Sequence, residues 1–152
     1  MKLEVGRKRL YNSTYKEKFG REDVVHWDAI PIKTEQELLL EFVSTNSSYL
    51  QGIRLAIDAG EGTLEVNGIK ARGMEFWEDT CPPKELIKCT SSAGLLSVYN
   101  LLHLGRTPRD IRSLTGSFGM LVEQHANEYT YRCNSYSFDG DFDHLVFRIT
   151  LL

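Results

Sequence analysis

The sequence contains no stretch approaching the roughly 20 consecutive apolar residues that a membrane-spanning helix needs. Its N-terminus, MKLEVGRKRLYNSTYKEKFGRED, lacks the apolar core of a secretory signal. Together these absences give the expectation of a soluble, cytoplasmic protein with no membrane partner. Cysteine is scarce as well: Cys81, Cys89 and Cys133 are an odd number in a chain too long to need a disulfide framework. The expectation is reduced thiols in a reducing compartment. A basic excess is missing too. Lys and Arg number 18 against 21 Asp and Glu, a net charge of -3 with both signs interspersed, which argues against a nucleic-acid backbone as partner.

Motif spacings are absent in the same way. A structural zinc site wants paired ligands such as C-x2-4-C, but seven residues separate Cys81 from Cys89 and His26, His103, His125 and His144 stand singly. Gly60-Glu61-Gly62 leads into a strand pattern rather than a helix, so it fits neither a P-loop nor a dinucleotide fingerprint. No cofactor is expected. Repeats, linkers and low-complexity tracts are also lacking, so residues 1–152 read as a single β-rich domain.

What is there is a core. Hydrophobic residues make up 41% of the chain and aromatics 11%, and a domain of this size buries about 70% of its unfolded surface. The strongest local signal is Val66-Asn67-Gly68-Ile69. Asn-Gly supplies the two positive-φ positions of a type I′ turn, which predicts a hairpin with Val66 opposite Ile69, Glu65 opposite Lys70 and Leu64 opposite Ala71. Alternation predicts further strands near Val24–Ile30, Ile53–Ile57, Met74–Glu78, Phe118–Gln124, Tyr129–Cys133 and Phe142–Leu152. Leu86–Thr90 and Leu95–Leu102 read as another hairpin across Ser91–Gly94.

Two short helices are expected. Thr34-Glu35-Gln36-Glu37 fits a capping box opening a helix from Glu35 to about Thr45, although Leu38, Leu40 and Phe42 also alternate as in a strand. Thr107-Pro108 fits an N-cap and N1 pair opening a helix to Leu114. About eight short strands with turns between them give the fold class: mainly β, an antiparallel β-sandwich or barrel with one or two short helices.

Four groups of residues are candidates for chemistry. Asp139, Asp141 and Asp143 fall at i, i+2, i+4 and would share a face of a strand, where they offer oxygens to a hard cation; an ordinary Asp-Gly turn is the alternative. The EF-hand pattern fails, because the glycine is at the second position and Thr150 stands where a glutamate is required. Glu75 and Trp77 share a strand face, a pairing that suits a carboxyl raised by an apolar wall, or simply the wet end of a strand. Cys81, ahead of Pro82 and Pro83, is the most exposed thiol by position, while Cys89 and Cys133 fall in strands as small buried hydrophobes. Tyr99, Tyr129, Tyr131, Tyr136 and Phe138, with Asn100 and Asn134, form either cross-strand packing or a contact face.

Three segments taken together carry a resemblance: Phe76–Thr80 with Pro82, Gly94–Asn100, and Tyr131–Asn134 with Asp141–Phe147. Over residues 52–152 the chain resembles a domain of unknown function found in small bacterial proteins. The resemblance implies a bacterial cytosolic protein and attaches no activity or cofactor.

The leading functional expectation is a non-enzymatic module that binds another protein, with the physical profile of toxin-neutralising immunity proteins. Its surface would draw on Glu75, Trp77, Tyr136, Asp139, Asp141 and Asp143. The alternatives are a carbohydrate- or small-ligand-binding sandwich, with or without Ca²⁺, and a hydrolase using Cys81 or Glu75.

Overall fold

A computed structural model describes residues 9–105 and 107–152; Arg7 and Lys8 of the basic N-terminal stretch lie outside them. The described residues form thirteen strands and one helix, and every strand pairing is antiparallel. The mainly β expectation holds, and the sheet curls into a nearly closed, barrel-like body.

One layer contains β3 (Glu35–Thr45), β5 (Gly62–Val66), β8 (Lys84–Ser91), β11 (Gly119–His125), β12 (Glu128–Asn134) and β13 (Leu145–Leu151). They lie in the order β5-β8-β3-β13-β12-β11. The last strand is therefore interior, paired on both sides. The other layer contains β2 (Val25–Pro31), β9 (Leu95–His103), β4 (Leu50–Ile57) and β7 (Gly73–Trp77), in that order. Short strands β1 (Leu10–Tyr11) and β10 (Ile111–Ser113) add to β2 and β9.

Two segments carry the curl by changing partners along their length. In β2, Val25 pairs with Met120 of β11, whereas Asp28–Pro31 pair with β9. At the other side β6 (Ile69–Ala71) pairs with β5, and after Arg72 the chain continues as β7 against β4. The Ile57 amide donates to the Arg72 carbonyl at 2.8 Å, stitching that bend to the second layer. The interior is filled from both layers, with Leu38 and Leu40 of β3 and Leu145, Phe147 and Ile149 of β13 in one cluster with Ile53, Leu55, Leu96 and Val98. Such alternation of buried and wet positions is what a sheet with one dry face requires.

The Asn67-Gly68 hairpin has the expected register, and both turn residues have positive φ, 50° and 80°. Glu65 and Lys70 face each other at 3.5 Å. Leu64 is fully buried, but Ile69 stands in solvent.

Three local expectations are corrected. Glu35–Thr45 is a strand, not a helix: Gln36, Leu38 and Leu40 alternate inward, and β8 and β13 take up both edges. Tertiary pairing overrides the capping-box signal. The Pro108–Leu114 helix is also absent. Thr107–Asp110 form a turn closed by Asp110 N–H to the Thr107 carbonyl, and Ile111–Ser113 then pair with β9. Finally, β8 and β9 are not a hairpin, because β8 lies between β3 and β5 and β9 between β2 and β4. The Ser91 hydroxyl accepts from the amides of Gly94 and Leu95, so the spacer is a corner between layers.

The single short helix, α1 (Ser13–Phe19), falls where none was expected. Its signals are ordinary ones. Asn12 caps it by accepting from the amides of Thr14 and Tyr15, and Gly20 ends it with φ 64°. Among the described residues no helix is long and apolar enough to cross a membrane.

Candidate functional site

The registers gather one set of strand ends at a common rim. Leu50 pairs with His103, Gly52 with Trp77, Thr45 with Leu145, Cys133 with Leu145, and Gly119 with Asn134. Of the residues expected to form the binding surface, Trp77 belongs to this rim and Tyr136, Asp139, Asp141 and Asp143 to the loop that crosses it, residues 135–144, whereas Glu75 does not.

The loop is organised by Asp139. Its Oδ1 accepts from the Asp141 amide at 2.9 Å and from the Asn134 side chain, and its Oδ2 accepts from His144 Nε2 at 3.0 Å. Asn134 is fully buried and also donates to the Asp141 carbonyl at 2.7 Å. Burial pushes the Asp139 carboxyl up, but the Asp141 amide, Asn134 and His144 together hold it below its usual range. Asp-Gly here supplies a turn tied down by its own carboxylate.

Asp139, Asp141 and His144 offer ligand atoms within 4.8 Å of one another, a span a metal ion can bridge. The chemistry of the donors opposes it. The Ser135 amide donates to His144 Nδ1 at 3.1 Å, so Nδ1 carries the lone pair and Nε2 carries the proton that goes to Asp139. A metal at Nε2 needs that proton on Nδ1, where the Ser135 N–H already points. Asp143 turns away from the other two and accepts from Asn46 Nδ2 at 2.9 Å. The three aspartates therefore do not converge.

Behind the loop a polar chain links the two layers. The Ser135 hydroxyl donates to Gln51 Oε1 at 2.7 Å, and Asn100 donates to Ser135 Oγ at 3.0 Å and to the Asn134 carbonyl at 3.2 Å. Ser135, His144 and Asp139 thus look like a hydrolytic triad by residue type alone. The serine reaches His144 through its backbone amide, however, and its hydroxyl is buried against Gln51. That is a structural arrangement, not a nucleophile beside its base.

Glu75 and Trp77 lie on the outer face of β7. Glu75 is opposite Arg54, and the Trp77 ring covers Gly52, where a Cβ would come within 2.5 Å of it. Trp77 also meets His103 edge-on at 6.1 Å. Cys81 is half-buried, and burial together with Glu85 pushes its thiol up to about 11, so it is protonated at neutral pH.

The aromatic group divides in two. Tyr129 and Tyr131 are core, and Tyr131 stacks on Phe147 at 4.7 Å. Tyr136 and Phe138 stand out at the rim, 44% and 37% exposed, joined by Phe19 of α1 at 51%. Tyr136 is held there with φ 61° and packs on Phe118 at 6.1 Å. Sequence reasoning set His144 aside as a lone histidine and left out Tyr15 and Phe19. The unread signal was the Asn12–Gly20 cap pair, which places Tyr15 and Phe19 on one helix face at i, i+4.

No family model matches the chain, and neither the curated proteins nor the solved structures contain a detectable relative.

Proposed function

We propose that the chain is a non-enzymatic binding module that docks another protein through this rim. The observation that supports the reading is the co-location of exposed Phe19, Tyr136 and Phe138 with the carboxylates Asp139 and Asp141 on a loop fixed by hydrogen bonds. Large aromatics supply contact area at low entropic cost, and a pre-ordered loop does not lose freedom again on binding. Carboxylates at the margin steer a basic partner and govern on-rate more than final affinity. Asp143 and Trp77, at the end of β7, continue the rim toward the second layer, whereas Glu75 lies off it, opposite Arg54. The likeness to immunity proteins is one of physical profile: small, mildly acidic, β-rich and, among the described residues, without a nucleophile set beside its base.

The experiment is comparative capture. Wild-type protein and the variants Phe138→Ala and Asp141→Lys are each used as bait from a bacterial lysate, with any retained protein then measured as a purified pair. Loss of binding in Phe138→Ala and slower, less salt-dependent association in Asp141→Lys are the expected results. A purified partner held equally by all three baits removes this surface from consideration.

A further inference from the structure

Helix α1 lies against the loop so that four rings form a small aromatic cluster. Tyr15 is 5.7 Å from Phe19, 5.3 Å from Phe138 and 5.8 Å from Phe142, and Phe19 is 5.8 Å from Phe138. Tyr15, Phe19, Arg21, Phe138, Asp139 and Gly140 line a cleft of about 300 Å³. The faces of this cluster already attract cations from the chain itself. Lys18 Nζ sits 4.8 Å from the Phe138 centroid and the Arg21 guanidinium 4.9 Å from that of Phe142.

These two cations are not equivalent. Arg21 is committed, donating to both Asp23 oxygens at 3.1 and 2.9 Å. Lys16 is paired with Glu22 at 3.4 Å. Among the described residues Lys18 makes no ion pair, and its ammonium rests on a ring that is partly exposed and otherwise packed by Tyr15 and Phe19. On the acidic side, Asp139 forms one wall of the cleft and accepts from His144 Nε2, while Asp141 has no ion pair among the described residues. Aromatic walls with a carboxylate beside them are the chemistry that selects an organic cation over an apolar group of the same shape.

We propose that this cleft receives a lysine or arginine side chain of the partner protein, which displaces Lys18 from the face of Phe138. The inference rests on the reading of the rim as a protein-binding surface and names the chemistry of the group that enters it. Lys18 acts as an internal competitor, so the vacant state keeps its ring face covered and the bound state exchanges one cation for another.

The test uses the whole chain and small probes. Aromatic carbon–proton NMR spectra are followed while Nα-acetyl-lysine amide, Nα-acetyl-arginine amide or the uncharged Nα-acetyl-norleucine amide is added. The expected result is saturable movement of the Phe19 and Phe138 ring signals with the two cationic probes, and norleucine amide binding at least about threefold more weakly. Phe138→Leu, which keeps apolar bulk but removes the π face, weakens the cationic probes by about threefold, and Lys18→Ala tightens them. Equal binding of the norleucine probe, indifference to Phe138→Leu, or no gain in Lys18→Ala overturns the proposal. The outcome separates from that of the rim reading: a partner docking at the rim without a basic side chain in the cleft sinks only this inference. Saturable probe binding alongside a partner that docks elsewhere leaves the cation selectivity of the cleft standing, but sinks the rim reading and with it the partner side chain as occupant.

Discussion

The Tyr131 hydroxyl donates to Asp28 Oδ2 at 2.8 Å, deep inside the barrel and 103 residues away in sequence. Asp28 lies where β2 leaves one layer for the other, and its side chain is fully buried. Its second oxygen accepts from Arg9 Nε at 2.8 Å and from the Ala29 amide at 3.0 Å. Burial works against the Arg9 charge, but the bond and attraction to Asp28 more than offset it, so the guanidinium stays charged. Burial and the Asp28 charge push the Tyr131 phenol well above its usual range, so it remains a donor.

This network fixes the corner of β2, and its removal is expected to be costly. Asp28→Ala strands the half-buried Arg9 and lowers stability by about 3–5 kcal/mol, whereas Tyr131→Phe removes one charge-assisted bond at about 2 kcal/mol. Urea unfolding of both single variants and the double variant measures the coupling. Strictly additive losses would show that the two residues do not act together.

Acid is expected to loosen the 135–144 loop before the barrel. The Asp139 carboxyl is depressed in the folded chain, so its contribution is present above the unfolded value of about 3.9 and is lost as pH falls through the lower folded value. Asp58 has the opposite sign, because burial raises it in spite of Arg72. Amide exchange of residues 135–144, followed from pH 6 to pH 3 in wild type and Asp139→Asn, checks this. The variant should exchange quickly at every pH. A wild-type loop equally protected at pH 3 would contradict the role given to Asp139.

How far the sequence carried depends on whether a signal was local. Asn67-Gly68 encodes its turn in two residues, and the register followed from it without error. Glu35–Thr45 carried two periodicities at once, and the choice between them was made by β8 and β13, which lie 39 or more positions away along the chain. The partner change within β2 has no local marker, since nothing in VHWDAIP says that its two halves pair with different strands. At the rim, the acidic and aromatic residues of the loop were visible as a run. That Asp143 would turn to Asn46, and that His144 would enter with its proton on Nε2, depended on contacts made across the fold.

Trp77 gives an optical probe of the second layer. A Cβ at Gly52 would come within 2.5 Å of Trp77 Cε3 and 2.9 Å of the Phe76 carbonyl. Gly52→Ala should therefore displace the indole, shift its emission and lower stability by about 1–3 kcal/mol. Unchanged emission and melting would mean that the ring does not rest on Gly52.

Calcium and thiol reagents test the alternative chemistries together. With Asp143 turned away and the His144 proton directed at Asp139, millimolar Ca²⁺ or Zn²⁺ should leave the melting temperature of the native chain unchanged. Iodoacetamide at pH 7.5 should react with Cys81 more slowly than with a free thiol, and with Cys89 and Cys133 only on unfolding. A cation-dependent rise in melting temperature abolished by Asp141→Ala would restore the metal-dependent ligand reading, and fast alkylation of Cys81 would restore the nucleophile.

The central claim is that contact is made by the rim and not by the outer faces of the sheet. Association kinetics of the captured partner, measured against ionic strength for wild type, a Phe138→Ala/Asp141→Lys double variant and the outer-face variant Lys70→Gln, address it directly. The account predicts that the double variant loses binding by about thirtyfold or more while Lys70→Gln matches wild type, on the scale of about 2–4 kcal/mol for a buried aromatic anchor. Wild-type kinetics in the double variant, or loss confined to Lys70→Gln, would contradict it.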